Sequence, residues 1–183
     1  MKIHIIGGPG GGKTWLAKHL SHKYNVPTFD LDDIFWDRNA GRYGAKAAPE
    51  KRDSDLNAIL NKNSWIVEGV YYSWLMRSFQ LSDRIIVLKT STRLRAVRII
   101  KRFIKRKTGL IKSKKESLSD LWQLLKWNHG FDRNNLKPAL RIIADFQDKV
   151  IYYENLSQIS KEIENGLVSP CRLYDPSRNS KII

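Results

Sequence analysis

Residues 7–14 read Gly-Gly-Pro-Gly-Gly-Gly-Lys-Thr and fit the pattern G-x-x-x-x-G-K-[ST] of a phosphate-binding loop. The preceding Lys2-Ile3-His4-Ile5-Ile6 is apolar and strand-like, and residues 15–23 are compatible with a helix. A strand, a glycine loop and a helix in this order are the context that such a loop requires. The alternative is a glycine-rich turn that contains Lys-Thr by chance, but such a turn would have no reason to lie between a strand and a helix. The stretch therefore predicts an α/β protein with a nucleotide site near residue 10.

Each part of this glycine loop has a physical task. Glycines permit backbone conformations closed to other residues and bring N–H groups against phosphate oxygens, while the helix N-terminus adds its dipole. Lys13 is expected to neutralise the β- and γ-phosphates of ATP, and the Thr14 hydroxyl to ligate Mg²⁺. The expected cofactor-binding set is Gly8, Gly10, Gly11, Gly12, Lys13, Thr14 and Trp15.

The composition favours one folded domain. The chain has 183 residues, 42% of them apolar, and six tryptophans. No apolar run approaches the roughly 20 residues that span a bilayer, and the lone Cys171 excludes an internal disulfide or a cysteine metal cluster. Because the glycine loop interrupts any leader after six residues, we expect a cytoplasmic protein without stable membrane insertion. We expect a single domain over residues 1–169 and a loosely held tail over 170–183.

The positive charge is concentrated in one segment. Residues 89–115 contain twelve Lys or Arg and no Asp or Glu, against a net charge of +15 for the chain. Two explanations compete for this segment. One is a surface that binds a polyanion such as nucleic acid; the other is an arginine-bearing lid, over about residues 93–117, that closes over nucleotide phosphates.

Short apolar stretches alternate with helical ones along the chain. Strands are predicted at 2–6, 28–30, 64–68, 84–88 and 149–153, and helices at 13–23, 50–62, 118–128, 134–147 and 157–165, with a basic helix after residue 88 and a loop at 37–49. This alternation is typical of βαβ units, which form a parallel sheet with helices on both faces.

Carboxylates follow the second and third predicted strands. In an open α/β sheet, ligands bind outside the carboxyl ends of the strands, so Asp30, Asp32 and Glu68 are expected to face the glycine loop. Asp30 and Asp32 are candidates for holding Mg²⁺ through water and for orienting an acceptor hydroxyl, and Glu68 is a candidate for a position near Mg²⁺ and the attacking group. The alternatives are helix capping by Asp32 or Asp33, with Asp33 the expected cap, and a Glu68 that reaches solvent. The aromatic residues Tyr71, Tyr72 and Trp74 either stack on a planar acceptor or belong to the core.

The basic helix is predicted to be amphipathic. Arg95, Arg98, Arg102 and Lys105 recur at spacings of three and four, and Val97, Ile100 and Ile104 lie on another face. A solvated charged face would normally include Asp or Glu for pairing, and none is present. Phosphates are the natural counter-charge, since Arg binds them bidentately.

Taken together, the glycine loop, residues 30–36, residues 65–72 and the basic segment resemble small P-loop kinases of the adenylate and shikimate kinase kind. Within that group the chain is similar to bacterial DNA topology modulation proteins (FlaR-like), over roughly residues 1–155. The resemblance implies a three-layer, Rossmann-like nucleoside-kinase fold with a five-stranded parallel sheet and a mobile helical lid. It also implies that Asp30 is the acid on the Mg²⁺ side, that Asp32 is on the acceptor side, and that Arg98 and Arg102 are lid arginines.

The sequence also departs from that group. Gly11 stands where the loop usually has Ser, and Glu68-Gly69 replaces the Asp-Gly-Phe-Pro-Arg type of sequence in adenylate kinases, so an AMP site does not follow. The lid lacks a cysteine quartet and hence a structural zinc.

The residues favour an ATP-dependent phosphotransferase, acting on a small-molecule or nucleotide acceptor or as an ATPase. Its catalytic residues are expected to be Lys13, Asp32, Arg98 and Arg102. An ATP-switched DNA- or RNA-binding regulator, using the segment 89–115, is the alternative, and attachment of the basic helix to a membrane surface is a third.

Overall fold

A five-stranded, all-parallel sheet forms the centre of the protein. The computed structural model describes residues 1–37, 45–110 and 117–164, so the expected tail over 170–183 and part of the expected lid lie outside the described residues. The strand order is β2-β3-β1-β4-β5, with β1 Lys2–Gly7, β2 Thr28–Asp30, β3 Trp65–Gly69, β4 Arg84–Leu88 and β5 Val150–Tyr153. The α/β class and the five-stranded parallel sheet expected from the sequence are confirmed.

The middle strands are apolar because helices cover both of their faces. In β1, Ile6 packs in one buried cluster, with Val67 and Phe131, whereas Ile3 and Ile5 pack in another, with Leu16. Because successive side chains of a strand point to opposite faces, two cores flank one sheet. The glycine loop follows β1 between them.

The helices were predicted with small shifts at their ends, apart from two regions. They are α1 Lys13–Tyr24, α2 Asp32–Phe35, α3 Pro49–Leu60, α4 Met76–Leu81, α5 Thr92–Lys107, α6 Leu118–Phe131, α7 Lys137–Ile142 and α8 Leu156–Glu164. The short α4 was not predicted. Residues 134–147 are helical as expected, but in three successive forms: a π-helical turn, Asp132–Leu136, precedes α7, and a 3-10 segment, Ile143–Lys149, follows it. Pro138 accounts for part of this, since it has no N–H for the carbonyl four residues earlier.

Local caps fix the two helices that matter most for the site. The Ser91 side chain accepts a hydrogen bond from the Leu94 amide at the start of α5. At the start of α6, Ser117 and Asp120 form a reciprocal capping box. These caps define where the two helices begin, and α5 packs against α6.

Candidate active site

A cavity of about 620 Å³ opens at the carboxyl ends of the strands. This is the edge where open α/β sheets bind ligands, at the point where the strand order reverses around β1. Most of the residues selected from the sequence line it: Gly10, Gly12, Lys13, Thr14, Trp15, Asp30, Asp32, Glu68, Arg98 and Arg102. Gly8 and Gly11 belong to the same loop without lining the cavity.

The glycine loop is built on backbone that only glycine adopts comfortably. Gly10 has φ 70° and Gly12 has φ 100°. A Cβ on Gly12 would lie 2.5 Å from a methyl carbon of Leu156 in α8, and one on Gly10 would lie 2.8 Å from the Arg95 carbonyl oxygen. The loop is therefore held between α5 and α8. Its other two predicted members take part in its hydrogen bonding: the Gly11 amide donates to the Gly8 carbonyl at 3.0 Å.

Lys13 and Glu68 form the charged centre of the cavity. The Lys13 ammonium lies 4.0 Å from a Glu68 carboxylate oxygen and donates to the Gly8 carbonyl at 3.3 Å. The Thr14 hydroxyl donates to the other Glu68 oxygen at 2.5 Å. Burial lowers the pKa of Lys13 and raises the pKa of Glu68, although each charge opposes the other's shift. Glu68 is buried near the end of β3, so the alternative in which its side chain reaches solvent is wrong.

Asp30 and Asp32 lie beside this pair, at the start of α2. The Asp32 amide donates to Asp30 Oδ1 at 2.9 Å, and the Tyr71 hydroxyl donates to Asp32 Oδ1 at 2.6 Å. Burial raises the pKa of Asp30, and burial together with the bond to Asp32 raises the pKa of Tyr71. The Asp33 cap is wrong, because Leu31 occupies the N-cap position and the Asp30 oxygen satisfies the first-turn amide. Tyr71 thus holds Asp32 in place.

Two roles were considered for Tyr71, Tyr72 and Trp74, stacking on an acceptor and packing in the core, and the observed contacts favour packing. The rings of Phe35 and Tyr71 stack at 4.3 Å, and Trp74 tilts against Tyr71 at 5.6 Å. Tyr71, Tyr72 and Trp74 pack against the core cluster on the β2–β3 side. None of the three lines the cavity as described.

Three arginines of α5 form one wall of the cavity. Arg98, Arg102 and Arg106 follow at intervals of four residues and all line it. The Arg98 guanidinium donates to the Gly10 and Gly11 carbonyls at 3.3 Å each. The sequence placed Lys105 on this row, but Lys105 is exposed and Arg106 takes its place.

Arg95 is not part of that cationic stripe, which corrects the sequence expectation. Its side chain is fully buried, with Nη1 2.7 Å from an Asp132 oxygen and Nε 2.8 Å from Asn128 Oδ1. Its guanidinium also lies 5.3 Å from the centroid of the Phe131 ring. Its charge is therefore matched within the fold, and it connects α5 to the end of α6 and the π-helical turn.

Because Arg95 is buried, the face of α5 that packs against the core differs from the face predicted from the sequence. Ile99 and Phe103 are the buried apolar residues, whereas Val97, Ile100 and Ile104 are exposed. A hydrophobic pattern identified the helix but not its orientation, because a buried guanidinium is not expected from sequence. The partners that permit it, Asn128 and Asp132, lie more than thirty residues away.

Two cavity residues on α6 were missed by the sequence analysis. Leu124 and Trp127 line the cavity, three residues apart on one face of α6. Nothing in the local sequence distinguishes Trp127 from Trp122, which is 70% exposed. By contrast Trp15, which was expected at the site, lines the cavity and stacks on His19 at 5.1 Å.

The oxygen atoms present are compatible with Mg²⁺. Thr14 and Glu68 are in contact, and Asp30 lines the same cavity. Mg²⁺ is usually bound through one or two carboxylates, with phosphate oxygens and water completing its shell. Over the described ranges, no group of three or more His, Cys, Asp or Glu could hold a metal unaided. The residues therefore fit a metal shared with a phosphate ligand.

No family model matches the chain, and no curated protein matches it significantly. Within the part of the chain that the structure describes, no helix is both long and apolar enough to cross a bilayer.

Proposed function

We propose that the protein is an ATP-dependent phosphotransferase. The observation that carries the proposal is a single cavity with three walls: the glycine loop with Lys13, the carboxylates Asp30, Asp32 and Glu68, and the arginine row of α5. A glycine loop at a helix N-terminus suits a polyphosphate, and carboxylates suit a metal and a nucleophile. Phosphoryl transfer needs the polyphosphate site and the carboxylates in the same cavity.

In this proposal the triphosphate lies on the loop amides, with Lys13 at its β/γ end. Thr14, Asp30 and Glu68 would hold Mg²⁺, which neutralises charge on the phosphates as the transferred group leaves. The Lys13 ammonium lies between the Gly8 carbonyl and the Glu68 carboxylate, so its position is fixed before a ligand binds. Such preorganisation is the main protein contribution to electrostatic catalysis.

The acceptor would approach from the side of Asp32. If the acceptor is a hydroxyl, Asp32 takes its proton, the acceptor oxygen bonds to the γ-phosphorus, and the bond to the β,γ-bridging oxygen breaks to release ADP. If the acceptor is a phosphate, no base is needed. The hydrogen bond from Tyr71 orients Asp32 for the first role.

The arginine row would stabilise the charge that develops on the transferred group. Arg98 and Arg102 have planar guanidinium groups that bind phosphate oxygens in pairs. We propose that α5, the described part of the lid expected over about residues 93–117, closes over the phosphates and excludes water.

The proposal is tested by Lys13→Ala. We expect acceptor-dependent ADP release to fall by at least about 100-fold, as when one preorganised charge or donor is removed. Lys18→Ala is the matched control, since Lys18 is exposed on the same helix. Circular dichroism and thermal unfolding would show that both variants fold. Turnover by Lys13→Ala at the level of the control would overturn the proposal.

A second candidate is an ATP-switched protein that binds DNA or RNA. Its support is the outward side of α5, where Lys101 and Lys105 are exposed and no acidic residue occurs from 89 to 110. Each phosphate contact contributes about 0.9 to the slope of log affinity against log salt. We expect Lys101→Ala with Lys105→Ala to reduce that slope by about two if the candidate is correct. Binding that is independent of salt, or unchanged in the double variant, would exclude it.

A further inference from the structure

Helix α5 has a third face, separate from its core side and from its arginine row. Ile99 and Phe103 pack into the protein, while Arg98 and Arg102 line the cavity. The remaining face of the helix, here called the outer face, is exposed. Half of its residues are aliphatic and half are cationic: Leu94, Val97, Ile100 and Ile104, with Arg93, Lys101, Lys105 and Lys107.

An aliphatic stripe runs along this outer face. Val97, Ile100 and Ile104 follow at intervals of three and four residues, so they are neighbours on the helix surface. They are 46%, 39% and 52% exposed, respectively. Single exposed aliphatic residues are ordinary on a folded protein, whereas a row of them on one helix indicates a surface that another molecule covers.

Cationic side chains border the stripe on both sides. Around the helix axis, Lys107 lies about 20° beyond Ile100. On the opposite border Lys101 lies about 40° beyond Val97. The helix α5 contains no acidic residue, and over the described ranges no carboxylate forms an ion pair with a cation of the outer face. The partner of this face therefore has to supply both apolar surface and negative charge.

The surface of a bilayer that contains anionic lipids supplies both. A helix lying in the plane of such a surface buries its apolar side at the boundary between headgroups and acyl chains, while its basic residues contact the anionic headgroups. Lysine side chains are long enough to keep their ammonium groups in water while the aliphatic stripe enters the boundary. The net charge of +15 also attracts the whole protein toward an anionic surface.

A nucleic acid would use only half of the outer face. Phosphate groups pair with the cations, but they offer no partner for aliphatic side chains. Single-stranded bases stack on aromatic side chains, and the one aromatic residue in α5 is Phe103, which is buried. The aliphatic stripe therefore favours a lipid surface over a polynucleotide.

We propose that the outer face of α5 docks the protein reversibly on membranes that contain anionic lipids. Val97, Ile100 and Ile104 enter the boundary between headgroups and acyl chains, and the bordering lysines contact the headgroups. The docked helix lies along the membrane and does not cross it. The inference is independent of the proposed phosphotransferase function, because the outer face does not include the arginines that line the cavity.

Co-sedimentation of the full chain with vesicles is the first test. Vesicles of phosphatidylcholine alone are compared with vesicles of phosphatidylcholine and phosphatidylserine. We expect binding to the mixed vesicles only, and weaker binding at higher salt because the attraction is screened. Lys101→Ala with Lys105→Ala should weaken binding about twenty-five-fold, since each cation near an anionic membrane contributes a factor of about five. Equal binding to both kinds of vesicle, or no binding to the mixed ones, would overturn the inference.

The second test concerns the aliphatic stripe. Ile100→Ser with Ile104→Ser should weaken vesicle binding at least about ten-fold and leave any affinity for duplex DNA unchanged. Met76→Ser is the matched control, since Met76 is an apolar residue that is 45% exposed on α4. Circular dichroism and thermal unfolding check that the variants fold, and Val97→Asp tests the same stripe by a single change if the double variant is unstable.

The two double variants also separate a lipid surface from a nucleic-acid surface. Loss of vesicle binding in both the lysine and the isoleucine variant would support the inference. Vesicle binding by the isoleucine variant at the level of Met76→Ser would contradict it. DNA binding that the lysine variant alone weakens would in that case assign the outer face to nucleic acid.

Discussion

Burial of Asp30 raises the pKa of its carboxyl, so the fold disfavours the ionised form of this side chain. The folded state therefore holds this proton more tightly than the unfolded chain does. As pH rises above the unfolded value of about 3.9 and through the raised folded value, the fold loses stability at this position. A charge kept at such a cost is typical of a binding or catalytic site.

Asp30→Asn separates stability from function at this residue. The amide retains an oxygen for the Asp32 amide, so the cap of α2 is preserved while the charge is removed. We expect the variant to unfold at slightly higher denaturant concentration than wild type at pH 7, with a gain below about 1.4 kcal/mol, the value of one pKa unit. The difference should shrink at pH 4, close to the unfolded value of about 3.9, because protonation removes the charge that burial disfavours.

Chemical denaturation at the two pH values checks this prediction, with acceptor-dependent ADP release measured in parallel. If Asp30 holds Mg²⁺ as proposed, the release should fall because the metal has lost a charged oxygen ligand. A variant that is less stable than wild type at pH 7 would contradict the account of Asp30.

At the scale of the helices, α5 and α6 are joined by one buried guanidinium. Arg95 is fully buried, but its partner Asp132 is 46% exposed. Removing Arg95 therefore has different consequences from removing Asp132. Without Arg95, Asp132 returns to water and buried Asn128 loses a donor; without Asp132, a buried cation loses its counter-charge.

We expect Asp132→Ala to destabilise the protein more than Arg95→Met. An uncompensated buried charge costs about 3–5 kcal/mol, whereas an unsatisfied buried amide oxygen costs about 1–3 kcal/mol. The free energy of unfolding of the two variants, measured by urea titration, gives the order directly. The reverse order would show that the Arg95 charge is solvated and not held by this pair.

The pair of Arg95 and Asp132 explains which features of the strands and helices could be predicted from the sequence. The sequence predicted β1, β3 and β4 well, since a strand covered on both faces leaves an uninterrupted apolar run. The orientation of α5 was not predictable, because Asn128 and Asp132 make burial of Arg95 possible and are remote in sequence. The short α4 has only six residues, too few for a helical period to be recognised.

At the scale of the whole molecule, the cavity is assembled from segments spread along the chain. The glycine loop, the ends of β2 and β3, α5 and α6 all contribute lining residues. The loop and the carboxylates could be predicted because parallel strands bring their carboxyl ends to one edge. Trp127 could not, since only tertiary packing distinguishes it from Trp122.

A ligand that bridges these segments should stabilise the entire fold. With MgATP analogue at one hundred times its dissociation constant, mass action adds about 2.7 kcal/mol to the free energy of unfolding. We expect a single, higher thermal transition for wild type and the Lys18→Ala control, and no shift for Lys13→Ala. If the ligand raises the temperature of only part of the thermal transition, the segments that line the cavity do not unfold as one cooperative unit.

The contact between Gly12 and Leu156 has a consequence for synthesis on the ribosome. The glycine loop is translated well before the side chain that packs against Gly12, which belongs to residue 156. Thr90 also donates to the Gly11 carbonyl from the middle of the chain. A nascent chain therefore carries the complete loop sequence long before it has the neighbours that shape it. We expect a translating protein to acquire nucleotide affinity only when β5 and α8 have left the exit tunnel.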